Sequence, residues 1–181
     1  MEKSILFMKE LSLIQDDEIM NFTTHCLDSA PDSFFTMPSS TSGKYHPAYA
    51  LGEGGLVRHT KAAVRIAFDL LNLEQNQNLF KDLIISALIL HDTNKMLEGR
   101  NETNPLHPLS AASFIDSCAA TFTGEINRWQ VVSIGRLIAS HMGQWDSCGV
   151  LPKPTHDDER FVHMCDYLAS RKYLTCDLDN E

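Results

Sequence analysis

Apolar positions recur along this chain mostly at helical spacing. Between 56 and 73, Leu56, Ala63, Ile66, Ala67, Leu70 and Leu71 fall on one stripe, and His59 lies on it too. The run Leu83-Ile84-Ile85-Ser86-Ala87-Leu88-Ile89-Leu90 is almost free of polarity and reads as the buried part of a helix over 79–91. His107-Pro108 opens a further helix to about 122, with proline where a helix start tolerates it. Over 125–142, Val131, Ile134, Leu137, Ile138 and His141 keep the 3, 4, 7 spacing of an apolar face, and Gly143 stops the helix. Asp157-Asp158-Glu159 suits the start of a last helix to about 173. Residues 2–28 read as one or two helices, the second led by Asp16-Asp17-Glu18.

Between these lie polar stretches. Residues 30–55 turn to Pro, Ser, Thr and Gly with Phe34, Phe35 and Tyr45 interspersed, which is too long for a plain connection. That segment is either a functional loop or a surface strap whose aromatics plug into the core. Residues 98–105 and 147–154 are loops by composition, and the acidic tail 177–181 should fray. No β alternation and no repeat emerges. The expected architecture is all-α, a bundle of six or seven helices in one domain over 1–181.

Composition narrows the function. Hydrophobic content of 43% and charged content of 22% are ordinary for a soluble globular chain. No apolar run approaches the ~20 residues of a membrane span, and Met1-Glu2-Lys3-Ser4 does not open a signal peptide, so no membrane partner is expected. Five cysteines without a CxxC pair suit a reducing cytoplasm, with most thiols buried. Acidic residues outnumber basic ones 24 to 15, for a net charge of −9. A long nucleic acid would want a basic face. A small phosphorylated ligand, recruited through bound cations, fits better.

The candidate chemistry starts at His91-Asp92, which ends the most apolar run of the chain. Neighbouring residues on a helix diverge by about 100°, so this pair converges only where the helix ends or turns. Asn94 suggests a left-handed stop there, with the pair half in the core and half toward solvent. A metal ion is the simplest partner for both groups. His59, His107, His141 and Asp166 also sit at predicted helix ends or inner faces. Singly, each has a structural explanation, such as a hydrogen-bonded core histidine. Together they form the kind of set from which a helical bundle builds a two-metal centre.

The order His59, His91-Asp92, Asp166 resembles the HD-domain metal-dependent phosphohydrolases, and His107 and His141 between them resemble the branch with two metals. Gly54-Gly55-Leu56-Val57-Arg58-His59-Thr60 is similar to the GGL-x-x-HT opening of the HD-domain 3′–5′ exoribonucleases, with Tyr45-His46-Pro47-Ala48-Tyr49 just before it. His91-Asp92-Thr93-Asn94-Lys95 resembles HD-x-GK with Asn94 for Gly, and Ser140-His141-Met142-Gly143 resembles SHHG with Met142 for the second His. The likeness spans about residues 45–170. Those exoribonucleases carry a separate RNA-binding domain, for which 181 residues leave no room.

The resemblance implies that His59, His91, Asp92 and Asp166 hold one metal, and Asp92, His107 and His141 a second, with Asp92 bridging. It implies hydrolysis by a hydroxide bridging the two ions, which lie about 3.5–4 Å apart in such centres. Imidazole and carboxylate ligands without thiolate suit Mn, Fe, Co, Ni or Zn rather than Ca. Lys95 is placed to meet a phosphate oxygen or a metal-bound water, or else is a solvated helix-end lysine. His46, Lys44 and Arg171 are weaker substrate-binding candidates, and Arg171 also suits the helix dipole.

The expected activity is that of a phosphohydrolase or phosphodiesterase acting on a nucleotide, cyclic nucleotide or short oligonucleotide. Exonuclease action and nucleoside triphosphate hydrolysis stay open beside it. The alternative of another class is a catalytically silent HD-fold nucleotide binder.

Overall fold

The structure, a computed structural model, describes residues 2–40, 42–97 and 102–174. Among these the regular secondary structure is helical, with one isolated antiparallel bridge, Met96 to Thr103. The α-helices are α1 (Met8–Leu11), α2 (Asp17–Ser29), α3 (Asp32–Thr36), α4 (Gly55–Leu71), α5 (Lys81–Leu90), α6 (His107–Thr121), α7 (Arg128–Ala139) and α8 (Asp157–Ala169). That makes eight helical segments where the periodicity predicts six or seven. The surplus lies in short pieces, since α1 and α3 have four and five residues. The tail 177–181 and part of the predicted loop 98–105 lie outside the described residues.

The centre of the fold is α5. Every residue from Leu83 to Leu90 is buried, because α2, α4, α7 and α8 surround it. A helix enclosed on all sides needs no polar face, which explains why its sequence lacks an amphipathic stripe. Around it, α6 packs on α7 and α8 packs on α4. Asp82, in the first turn of α5, accepts the Gln15 and Asp16 backbone N–H groups at 3.1 and 2.9 Å. Asp16 in turn caps α2 through the N–H groups of Glu18 and Ile19.

Residues 30–55 are more structured than a loop. They hold α3 and a 3₁₀ turn, Ala48–Ala50. Phe34 is fully buried and stacks on Phe7, while Tyr45 stays 54% exposed, so the strap reading holds for the first aromatic and fails for the last. Arg58 of α4 donates to the carbonyls of Tyr49, Leu51 and Glu53, which lashes the segment to the helix. Gly55 is required at that junction: a Cβ there would lie 2.3 Å from Ala50 O.

Two helices, α7 and α8, fall short of the periodic pattern. α7 spans Arg128–Ala139 rather than 125–142, because Asn127 and Gln130 close a capping box at its start. α8 ends at Ala169, where the Ser170 hydroxyl turns back to Tyr167 O. Its start is also boxed. Glu159, 4% exposed, accepts from the backbone of Thr155 and His156 and from Arg136 of α7 at 2.7 Å.

Burial opposes ionisation of Glu159, yet the His156 and Thr155 N–H groups and Arg136 hold its carboxyl below the ordinary range. Its stabilising contribution is therefore complete above about pH 4.3, the unfolded value, and is lost as pH falls through the lower folded value. Glu159→Gln should lower stability by about 2–3 kcal/mol at pH 7. The gap from the parent protein, measured by urea melts, should narrow below about pH 4.

Candidate metal centre

Side chains from five elements meet beside the C-terminal end of α5. His59 comes from α4, His91 and Asp92 from the turn after α5, and His107 from the first residue of α6. His141 follows α7, and Asp166 lies on α8. The turn that redirects the chain needs no left-handed residue. Among the described residues no non-glycine has positive φ, so Asn94 does not play the role its type suggests. Instead, Thr93 donates both its N–H and its hydroxyl to Leu90 O, and the Lys95 N–H donates to Asp92 O. Consecutive tight turns bring His91 and Asp92 to bear on one side.

Neither residue sits half in solvent. His91 and Asp92 are both 0% exposed, and the open cleft is reached past Lys95, His107 and Asp166.

Three imidazoles are oriented alike. Nδ1–H of His91 donates to Leu88 O at 2.7 Å, that of His107 to Asn104 O at 2.8 Å, and that of His141 to Ile138 O at 2.7 Å. A ring that spends its Nδ1 proton on a backbone carbonyl keeps a lone pair on Nε2, which is the ligating tautomer. All three Nε2 atoms turn inward. His107 Nε2 and His141 Nε2 lie 3.1 Å apart, and two facing lone pairs at that distance repel unless a proton or a cation lies with them.

The carboxylate of Asp92 lies between two groups. Its Oδ2 faces His91 Nε2 at 3.3 Å and His59 Nε2 at 3.8 Å, and Asp166 Oδ1 completes that side at 2.9 Å from His59 and 3.5 Å from His91. Its Oδ1 faces His107 Nε2 at 3.2 Å and His141 Nε2 at 3.7 Å. One carboxylate thus offers an oxygen to each of two ligand groups.

His91 Nε2 and Asp92 Oδ1 are buried and make no hydrogen bond. Two sets, His59 with His91 and Asp166, and His91 with Asp92 and His141, bring their donor atoms within 4.8 Å of one another. Unsatisfied buried donors of this kind fit a divalent cation. The buried His/Asp groups could hold a metal ion, and a donor set of nitrogen and oxygen without thiolate suits a transition ion of intermediate softness.

The electrostatics agree. Burial opposes ionisation of Asp92, but Lys95, His91 and His107 hold its carboxyl well below the ordinary range. Asp166 is likewise held low against burial, by the hydrogen bond from His59 and by His91 at 3.5 Å. His91 is pushed up to about 10, because Asp92 and Asp166 outweigh its burial, so without a cation a proton on its Nε2 takes the cation's place. His141 is pushed down to about 3 by burial and by His91 and His107. Two carboxylates stay charged, and positive charge collects between them.

Lys95 is neither solvated nor free. Its ammonium sits 2.6 Å from Asp92 Oδ2, with the side chain 13% exposed. His46 lies in the cleft wall with its ring 5.5 Å from that of His59 and its Nδ1 buried without a partner. Arg171 follows α8 and lines the same cleft. Lys44 is exposed, with its ammonium over the Tyr45 ring, and does not line it.

The sequence pattern does not single out His163, whose Nδ1–H donates to His141 O at 2.7 Å and so braces the carbonyl of a candidate ligand. A Cβ on Gly143 would strike that ring at 2.5 Å, which ties the glycine to the brace. Nor does it single out Trp145 and Tyr167 in the cleft wall. Their adjacency to His141 and Asp166 was the available signal.

Comparison with protein-family profiles, with curated proteins and with solved structures gave no significant match. Geometry alone therefore carries the site.

Metal uptake is directly measurable. Free Mn²⁺ at a hundred times its Kd should add about 2.7 kcal/mol of stability, read as a rise in Tm that EDTA reverses. Asp92→Asn keeps the volume and a partner for Lys95 but removes the shared charge, and should abolish the rise.

Proposed function

We propose that this protein is a metal-dependent phosphohydrolase of the HD-domain kind, acting on a phosphoester or phosphodiester of a nucleotide, cyclic nucleotide or short oligonucleotide. The observation that carries this reading is the Asp92 carboxylate, which turns one oxygen toward His59 and His91 and the other toward His107 and His141. His59, His91, Asp166 and Asp92 Oδ2 would hold one divalent ion, and Asp92 Oδ1, His107 and His141 the other. Such ions supply Lewis-acid chemistry, lowering the pKa of water and neutralising phosphoryl oxygens.

The chain's own residues supply the rest. Backbone acceptors for three Nδ1–H groups keep the imidazoles aimed without rearrangement, so the site is preorganised. Lys95 neutralises Asp92 and borders the cleft, where its ammonium can meet a phosphoryl oxygen. His46 and Arg171 line the same space as further polar contacts.

The cleft, about 510 Å³, is in the range that binds a small ligand. A net charge of −9 disfavours a long polyanion, which supports a small substrate over an RNA track. No described helix is long and apolar enough to cross a membrane, consistent with the cytoplasmic setting proposed for such an enzyme.

Purified protein with Mn²⁺ should release product from cyclic nucleotides, nucleoside monophosphates, triphosphates or short oligonucleotides in a panel assay. Product from long RNA only would refute the small-substrate reading. Asp92→Asn should lower turnover at least about 100-fold, since even residues behind metal ligands cost 10- to 100-fold. Its circular dichroism should stay near that of the parent.

A further inference from the structure

Part of the cleft lining is aromatic. Trp145 and Tyr167 have parallel rings, with centroids 6.1 Å apart and planes 2° apart. The Arg171 guanidinium continues the series, 4.4 Å from the Tyr167 centroid and 5.6 Å from that of Tyr45. All four residues line the cleft, together with Asp166, His107 and Lys95.

Packing alone does not account for this ladder. Trp145 and Tyr45 are 51% and 54% exposed, so large flat apolar faces remain in contact with water. Arg171 has only the Ser170 hydroxyl as a hydrogen-bond acceptor and no carboxylate partner among the described residues. No carboxylate of the described residues therefore neutralises this cation beside the flat platform. Aromatic faces and a stacked guanidinium suit a planar ring, and the free charge suits an anion attached to it. A nucleoside phosphate has both parts.

The ladder's position is set by the elements that carry the candidate ligands. Tyr45 precedes His46, Tyr167 follows Asp166, and Trp145 lies four residues after His141 in the turn Gly143–Trp145. A ring stacked here shares one cleft with the imidazole and carboxylate cluster.

We infer that Trp145, Tyr167, Arg171 and Tyr45 form a nucleobase subsite, which takes the base of a nucleoside phosphate by stacking while the phosphate turns toward Lys95 and His107. Stacking is indifferent to which base is bound, so the subsite selects nucleotides as a class over phosphoesters that lack a ring. The orientation of the phosphate rests on the phosphohydrolase reading; the subsite itself does not.

The test uses the full chain carrying Trp129→Phe, which leaves Trp145 as the one tryptophan. Adenosine 5′-monophosphate and ribose 5-phosphate are titrated separately, with EDTA and with Mn²⁺, following Trp145 emission and heat. Hydrolysis of both is assayed in the same Mn²⁺ samples. The nucleotide should quench Trp145 and bind at least about five-fold more tightly than the sugar phosphate, the low end of what stacking one base is worth.

Trp145→Ala and Tyr45→Ala, both at half-exposed positions, should each erode that preference in calorimetry. Equal binding of the two ligands, or a preference untouched by both substitutions, overturns the subsite whether or not either compound is hydrolysed. A preference that collapses in the variants, with no phosphate released from either ligand, upholds the subsite and counts against a phosphomonoester as the substrate.

Discussion

A carboxylate removed from water must be met by positive charge or by donors, and Asp92, with no exposure at all, imposes that condition on its surroundings. Lys95 answers part of it at 2.6 Å. The remainder falls on imidazoles that have already committed their Nδ1 protons to the backbone. What is left pointing at Asp92 is a set of Nε2 atoms that need a proton or a cation among them. That unmet demand distinguishes the cluster from a set of ordinary core histidines.

The helices are arranged so that this demand arises at one place. α5 is apolar on every side and lies at the centre, so its C-terminal end is the deepest point at which a chain can emerge. His91 and Asp92 emerge there. α4 and α8, packed on each other, bring His59 and Asp166 together at 2.9 Å. α6 and α7, similarly paired, bring the N-terminal end of one to the C-terminal end of the other, and so His107 to His141. Two packed helix pairs thus deliver two candidate ligand groups to opposite oxygens of one carboxylate. The braces around them, His163 on the His141 carbonyl and Arg58 on the 49–53 segment, hold aim rather than take part in chemistry.

The long helices were legible because each buries a face, and burial leaves a periodic trace. α4, α6, α7 and α8 appear close to their predicted positions, and α5 was visible as an apolar run. Their ends were not legible to the residue. Capping by Asn127 and Gln130 shortens α7, and Ser170 closes α8, through local hydrogen bonds that periodicity does not register. Over 30–55 the composition reads as loop or strap and does not reveal α3, which has little more than one turn and packs Phe34 into the core.

For the site, residue types and their placement at helix ends were enough to nominate His59, His91, Asp92, His107, His141 and Asp166 as one group. Chemistry at that level is local: an imidazole or carboxylate embedded in apolar sequence announces an unmet need. Tertiary structure decided what no single stretch contains. It set which oxygen of Asp92 faces which imidazoles, turned the Nε2 lone pairs inward, drew Lys95 onto Asp92, and lined one cleft with Trp145, Tyr167 and Arg171 from separate parts of the chain. Those relations depend on distances between helices, and such distances are fixed only when the helices pack.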